Sequence, residues 1–483
     1  MSLSSNSMMT LDAPAIVSIL SPSLFNCLSC RCRSRGFIGS ISTPNLAHRV
    51  RRIKTVVTPM TLKLTVLGSG REVGRAALLL EDERSEKRIL LDYGVTFDES
   101  DIPVFPLSVP PAKLKAIAIT HAHLDHVGAA PMLFVSVRVP TIMTSLTKEF
   151  AKLMIEDMIK LAGYYLPYEY PELETMLNSV HTISPGGMVE IDGIRIEALN
   201  AGHIPGSVMY RIEMGGKVVL YTGDVNTIDT KLVSGARLEG VEANILIMES
   251  TYGNVDHPDR KEVEDRFIET IKSVIEDGGS VLIPAFALGR SQEILSILAE
   301  RMPYANVYYD GMTRKILELM LSYPKYINRI DLLEKAARLF VAVQGADMRK
   351  RVYREPGSII VAPAGMLKGG PALYYLKRMW NAKKRAIILV SYQAPATPGR
   401  RILSEGTFEE NGPRVQARVY WFDFSSHAGA SGLLSIVKSV KGLEKVILVH
   451  GGDAVAYELA YRIKEEIGVD VEVPSNGSVI KLD

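Results

Sequence analysis

Thr120-His121-Ala122-His123-Leu124-Asp125-His126 places four metal-competent side chains within six residues, directly behind an apolar run at 116–119. A buried strand that opens into a tight loop turns alternate side chains inward, so that imidazole and carboxylate groups converge on a metal ion. The remaining histidines sharpen that reading. Of the nine in the chain, His121, His123, His126, His203, His427 and His450 stand in glycine-bordered loops or at strand ends, whereas His48, His181 and His257 read as background with no role.

Outward from this stretch, strand-like runs end again and again in ionisable residues: 88–91 at Asp92, 217–221 near Asp224, 244–248 at Glu249 and 445–449 at His450. Polar residues mark the exit of many strands into water, which accounts for single cases. Repeated delivery of His and Asp to one edge of a sheet is how α/β folds build sites. The alternation of such strands with helix-period segments is the pattern of an α/β layered fold. Leu62-Lys63-Leu64-Thr65-Val66-Leu67-Gly68 alternates as a strand, predicts the first edge of the fold and sets the start of the domain at Met60. A second organisation begins near Tyr252. Residues 262–277 put Val263, Phe267, Ile268, Ile271, Val274 and Ile275 on one helical face and stop at Gly278-Gly279. A strand at 281–284 and a loop at 285–290 then open another helix. The expected organisation is a first domain at 60–251, an inserted α/β domain at 252–418 and a return to the first domain at 419–483.

Composition bounds the rest. With 483 residues, 47% apolar and 23% charged, the chain has the length and balance of two or three packed domains. No apolar run approaches the roughly 18 to 20 residues of a membrane-spanning helix. The net charge of +2 is unevenly spread: residues 1–59 hold seven basic side chains against Asp12 alone, which leaves 49 basic and 53 acidic in 60–483. A basic coat over the whole core is excluded, and any grip on a polyanion has to be local. Residues 1–59, rich in Ser and Arg, read as an unstructured extension, either an organellar transit peptide or upstream sequence from a misassigned start codon. Cys27, Cys30 and Cys32 all lie there, and three cysteines without a fourth ligand fit a zinc knuckle poorly. The lack of cysteine and the four glutamines in the remaining 424 residues fit a thermophilic, cytoplasmic source.

Gly68-Ser69-Gly70-Arg71-Glu72-Val73-Gly74, Leu91-Asp92-Tyr93-Gly94, the run from His121 to His126, Gly202-His203-Ile204-Pro205-Gly206-Ser207 and Thr222-Gly223-Asp224 together resemble the metallo-β-lactamase fold. Glu249, the loop at 284–290, Phe424-Ser425-Ser426-His427-Ala428 and Val449-His450-Gly451-Gly452 resemble the added signatures of its β-CASP branch of nucleases. The resemblance covers residues 60–483. It is to archaeal homologues of the endonuclease subunit of the cleavage and polyadenylation specificity factor, in the subgroup without KH-type RNA-binding domains. It implies an αββα sandwich with an inserted α/β β-CASP domain, and a site for two zinc ions. His121, His123 and His203 would hold one ion, Asp125, His126 and His450 the other, with Asp224 bridging. Asp92 is then an acceptor for a ligand histidine's N–H, or a purely structural carboxylate.

The reaction implied is in-line attack of an activated water on a phosphodiester of single-stranded RNA, leaving a 3′-hydroxyl and a 5′-phosphate. His427 is the candidate general acid or phosphate contact and Glu249 its orienting carboxylate, unless Glu249 is a bystander at a strand end. Arg290, Lys368 and Arg400, in glycine-bordered loops, are either phosphate contacts or solvated charges. Three other classes compete. A small-molecule metallo-hydrolase would share the loop at 121–126 but not need residues 252–418; a non-catalytic scaffold loses ligands, whereas every position here is filled; DNA-acting relatives tend to carry valine where this chain has His450. Endonuclease action is favoured, with a 5′-to-3′ exonuclease as the alternative, and the resemblance suggests a homodimer.

Overall fold

Two seven-stranded sheets face each other across a shared apolar layer, and their polar ends carry the candidate site. The computed structural model describes residues 62–482; the expectations for residues 1–59, including Cys27, Cys30, Cys32 and His48, lie outside them. The first sheet runs in the order Val479–Lys481, Leu62–Gly68, Ala77–Asp82, Lys87–Leu91, Ala116–Ala118, Thr141–Met143 and Val180–Thr182. The second runs Asp470–Glu472, Lys445–Val449, Ile245–Glu249, Lys217–Tyr221, Val208–Met214, Ile194–Asn200 and Met188–Ile191. Period-two alternation explains how the sheets stack. Leu62, Leu64, Val66, Leu78 and Leu80 enter the layer between them and meet Ile196, Val219, Ile247 and Ile447 from the second sheet. Leu67, Ala77 and Leu79 point the other way, toward the helices Ser145–Ala162 and Tyr170–Asn178, which contribute Phe150, Ile155, Leu173 and Met176. Helices Ala430–Ser439 and Asp453–Ile467 cover the second sheet through Leu433, Val437, Leu459 and Ile463. These four layers are an αββα sandwich.

The inserted segment builds its own sheet, in the order Val341–Ala342, Asn306–Tyr309, Ser358–Ala362, Val281–Pro284, Ala386–Leu389 and Arg418–Trp421, with every pairing parallel. Parallel strands buried on both faces are continuous apolar runs, as Ser358–Ala362 (SIIVA) and Ala386–Leu389 (AIIL) are. One uninterrupted apolar core joins Phe150 and Ile155 of the sandwich to Phe267, Leu295 and Ile316 of the insert.

Three expectations change here. The strand at 418 belongs to the inserted sheet through Arg418–Trp421, so the return to the sandwich follows Trp421 and not Arg418. The strand Leu62–Gly68 is not an edge: Val479–Lys481 pairs antiparallel along its outer side, Leu64 opposite Ile480. The helix expected at 262–277 spans Arg260–Glu276, because the Asp259 side chain caps it by accepting from the Glu262 N–H. Among the described residues no helix is long and apolar enough to cross a membrane.

Candidate metal centre

Strand ends deliver the site. Asp92 follows Lys87–Leu91, Asp224 follows Lys217–Tyr221, Glu249 is the last residue of Ile245–Glu249 and His450 follows Lys445–Val449. Asp92 (φ 56°) and His450 (φ 50°) take left-handed backbone conformations, which cost a non-glycine residue about 1 kcal/mol or more. Hydrogen bonds hold both. The His450 N–H donates to the Ser69 carbonyl at 2.8 Å. The Asp92 carboxylate accepts from the Thr120 N–H (2.7 Å), the Thr120 hydroxyl (2.8 Å) and the Tyr221 hydroxyl (2.8 Å), and meets His126 Nδ1 at 2.8 Å.

The run from His121 to His126 is only half a loop. His121 and His123 lie in the loop after Ala116–Ala118, but Asp125 and His126 sit on a one-turn helix, Leu124–Val127. That turn lies against the backbone after Asp92: the Tyr93 N–H donates to the His126 carbonyl and the Val95 N–H to the Leu124 carbonyl, both at 2.9 Å. Gly94 makes the approach possible, since a Cβ there would fall 1.8 Å from the Asp125 carbonyl oxygen.

Two groups of ligand-type atoms result. In the first, His123 Nδ1 lies 3.1 Å from both His121 Nε2 and His203 Nε2, and Asp224 Oδ2 lies 3.6 Å from each of those Nε2 atoms. In the second, Asp224 Oδ1 lies 3.2 Å from His126 Nε2 and 3.4 Å from His450 Nδ1, while His450 Nε2 lies 3.4 Å from Asp125 Oδ2. Asp224 thus turns one oxygen to each group. His126 Nε2, Asp224 Oδ1 and His450 Nε2 are buried without a hydrogen-bond partner. Buried polar atoms left unpaired are costly, and imidazole nitrogens with carboxylate oxygens are the donor set a zinc-type ion takes. The residues fit a metal.

Electrostatics separate the groups. Burial, helped by neighbouring imidazoles, holds His121 and His203 well below the usual histidine range, in the neutral form that coordinates. His126 is pushed well above that range: burial opposes the charge, but the Asp224 and Asp92 carboxylates outweigh it. Asp224 itself stays ionised, burial being overcome by His126 and His450.

His427 stands beside both groups. Its Nδ1 lies 2.9 Å from each Glu249 carboxylate oxygen and its Nε2 3.9 Å from Asp224 Oδ2. Glu249 is pinned by accepting the Val225 N–H at 2.7 Å. Burial works against a charged His427, but Glu249 and Asp224 raise it to about 9. The His427 side chain keeps 20% of its surface exposed, whereas that of His121 keeps none.

The three candidate cations divide. Arg290 is no solvated loop charge: it opens the helix Arg290–Arg301, is buried, and donates from Nη2 to the Ser426 hydroxyl at 2.8 Å. Burial draws its guanidinium down to about 9. Lys368 is paired with Asp101, and Arg400 is exposed on the helix Pro398–Glu405 rather than in a loop. The Ser426 carbonyl meets His203 Nδ1 at 2.9 Å, a role that the motif around His427 does not announce, since a backbone contact leaves no mark on residue type. His257, taken as background, meets Asp423 at 2.7 Å and the Tyr252 ring edge-on, at 4.6 Å between centroids. The one available signal was its nearness in sequence to Glu249.

Fold and centre define a class, a metallo-hydrolase whose sandwich carries a second α/β domain. Comparison with known proteins agrees. The metallo-beta-lactamase superfamily model matches residues 70–243, the Beta-Casp domain 291–402, and the Zn-dependent metallo-hydrolase RNA specificity domain 412–474. The chain is 47% identical to "RNase aCSPSF2" of Saccharolobus solfataricus, over 97% of this chain and 96% of that protein. It is 35% identical to "Probable RNase MJ4" of Methanocaldococcus jannaschii (87% and 100%) and 33% identical to "Transcription termination factor FttA" of Pyrococcus horikoshii (87% and 71%). A crystal structure of a protein of unknown function from Enterococcus faecalis shares the fold, with a TM-score of 0.55 at 13% identity, over 87% of this chain and all of that one. The chain belongs to the β-CASP branch of the metallo-β-lactamase superfamily, among archaeal homologues of the cleavage and polyadenylation specificity factor nuclease.

Proposed function

We propose that this protein is a zinc-dependent ribonuclease that hydrolyses single-stranded RNA, chiefly at internal phosphodiesters, in the cytoplasm. The observation that carries the reading is the placement of the His427–Glu249 pair beside two ligand groups that share Asp224. His121, His123 and His203 would hold one zinc, Asp125, His126 and His450 the other, with Asp224 common to both. Such a pair of ions supplies charge neutralisation on phosphate oxygens and acidifies water for attack at phosphorus.

The chain's own residues then divide the work. Asp92 fixes the ring of His126 by accepting its Nδ1–H, and the Ser426 carbonyl does the same for His203. Glu249 grips His427 at Nδ1 and leaves Nε2 turned inward. From there Nε2–H can be given to the 3′ oxygen as it departs, so that the products are a 3′-hydroxyl and a 5′-phosphate.

His427→Ala separates proton delivery from coordination, since Asp224, Glu249 and His427 could also be read as a third ligand group. The variant should keep both zincs by elemental analysis and lose about 10²-fold or more in turnover. Loss of a zinc would make His427 a ligand. RNA labelled at its 5′ end distinguishes internal cutting, which gives discrete fragments, from 5′-to-3′ digestion, which gives labelled mononucleotide. Full cleavage by metal-stripped protein would overturn the whole reading.

A further inference from the structure

The described core is slightly acidic, but its charge is not evenly dealt. Residues 345–385 hold ten basic side chains against Asp347 and Glu355, whereas the rest of 60–483 holds 39 basic against 51 acidic. Two helices of the insert gather nine of these cations, all but Lys368: Gly345–Val352 with the turn after it, and Gly370–Met379 with the turn after it. The turns meet through aromatic rings. Tyr353 and Tyr374 lie 6.5 Å apart, the Arg378 guanidinium sits 3.7 Å above Tyr374, and those of Arg354 and Arg385 sit 5.4 and 5.9 Å from Tyr353.

Several of the cations are already engaged: Arg349 by the buried Asp310, Lys350 by Asp347 and Lys377 by Glu409. Arg351, Arg354, Arg378, Lys383, Lys384 and Arg385 have no carboxylate partner among the described residues. All but the half-buried Arg385 are exposed. The two acids of the stretch are themselves occupied, Asp347 by Lys350 and Glu355 by the Tyr308 hydroxyl at 2.8 Å.

Topology places this face away from the metal centre. Both helices feed the starting ends of strands, Ser358–Ala362 and Ala386–Leu389. In the all-parallel sheet the finishing ends lead instead to Arg290 and to His427. A strand of this length separates the two ends by about 10 Å or more, so a ligand reaching both must be extended.

We propose that this basic, arginine-on-tyrosine face is an exosite that holds single-stranded RNA several nucleotides from the bond being cut. The choice of RNA rests on the ribonuclease reading; the choice of a single strand rests on the face itself. Unpaired cations meet a phosphate backbone, and the Arg378 guanidinium, 3.7 Å over the Tyr374 ring, offers its outer face to an unpaired base. The exosite secures long RNAs and does nothing for short ones.

The test is the triple change Arg351→Glu, Lys383→Glu, Lys384→Glu, which touches no ion pair and no residue of the centre. Cleavage is measured on an RNA of roughly thirty nucleotides and on one of roughly six, shorter than most single-strand sites. The expected result is a KM about tenfold higher for the long RNA with kcat unchanged, no change for the short RNA, and a salt dependence of KM shallower by about two log units per decade, near 0.7 for each lost contact. An unchanged long-RNA KM would overturn the exosite. So would an equal rise with the control Lys152→Glu, Lys160→Glu, on the sandwich helix, because net charge alone would then explain it. If the unaltered protein cut neither RNA, the ribonuclease reading would have failed; anisotropy of the labelled long RNA in chelator then decides the exosite separately, upheld if the triple change weakens binding and refuted if it does not.

Discussion

The two halves of the centre meet at Asp224 and are supported by different chemistry. Around His121, His123 and His203 the outer contacts are neutral: the Thr120 hydroxyl lies 3.1 Å from His121 Nδ1, and the Ser426 carbonyl takes His203. Around His126 and His450 a buried carboxylate, Asp92, stands behind one ring and Thr251 behind the other. The second half also draws on the more distant sequence, because His450 comes some two hundred residues after Asp224 and from a strand beyond the insert. A neutral backing fixes ring orientation, and a carboxylate backing also makes the ring a stronger base. The two proposed ions should therefore respond differently to substitution.

The largest effect should come from Asp224→Ala, which attacks both halves: both ions go and cleavage falls to background. A variant that keeps one zinc by elemental analysis would show that Asp224 serves a single half. His450→Ala comes next, with about one zinc per chain remaining, since its partners Asp125, His126 and Asp224 are left one ligand short. Two zincs would leave His450 as a strand cap and end the division proposed here. Asp92→Asn should weaken only the His126 ion, by about 10- to 100-fold in affinity, and a competition titration that found both ions weakened alike would erase the contrast. Ser426→Ala should be smallest. It removes the acceptor of Arg290 but keeps the carbonyl that meets His203, so about fivefold or less in affinity for the first ion is expected, the equivalent of one ordinary hydrogen bond. A larger loss would mean that the insert, through Arg290, sets the first half as firmly as Asp92 sets the second.

How far the sequence could be read follows from the same contrast. Dense side-chain chemistry was legible: the residues from His121 to His126 announce themselves, and the strand runs ending at Asp92, Glu249 and His450 pointed to one edge. Support given by backbone was not. The Ser426 carbonyl and the turn of helix under Asp125 and His126 depend on how distant segments meet, which residue type does not record. Short strands are also hidden: Arg418–Trp421 and Val479–Lys481 have four and three residues, too few to show a period, which is why the expected end of the insert falls at residue 418 and Leu62–Gly68 reads as an edge. The basic face was missed because its charges fall on two helices whose meeting only the parallel sheet brings about.

The pairing of Ile245–Glu249 with Lys445–Val449 has a consequence for the order in which the molecule is made. Between those strands lies the whole insert, and the chain enters and leaves it side by side, at the bridge between Tyr252 and Gly429. An unfolded connection of that length would have to be closed at an entropic cost that grows with the logarithm of its length, and would close slowly. Once the insert has folded, the connection is short and its two ends already stand together. An insert that folds before that pairing would bring Lys445–Val449 alongside its partner already in place. Of the proposed ligands His450 is the last in the chain. A ribonuclease built this way would stay inert on a nascent or half-folded chain and become active only when the long detour has closed.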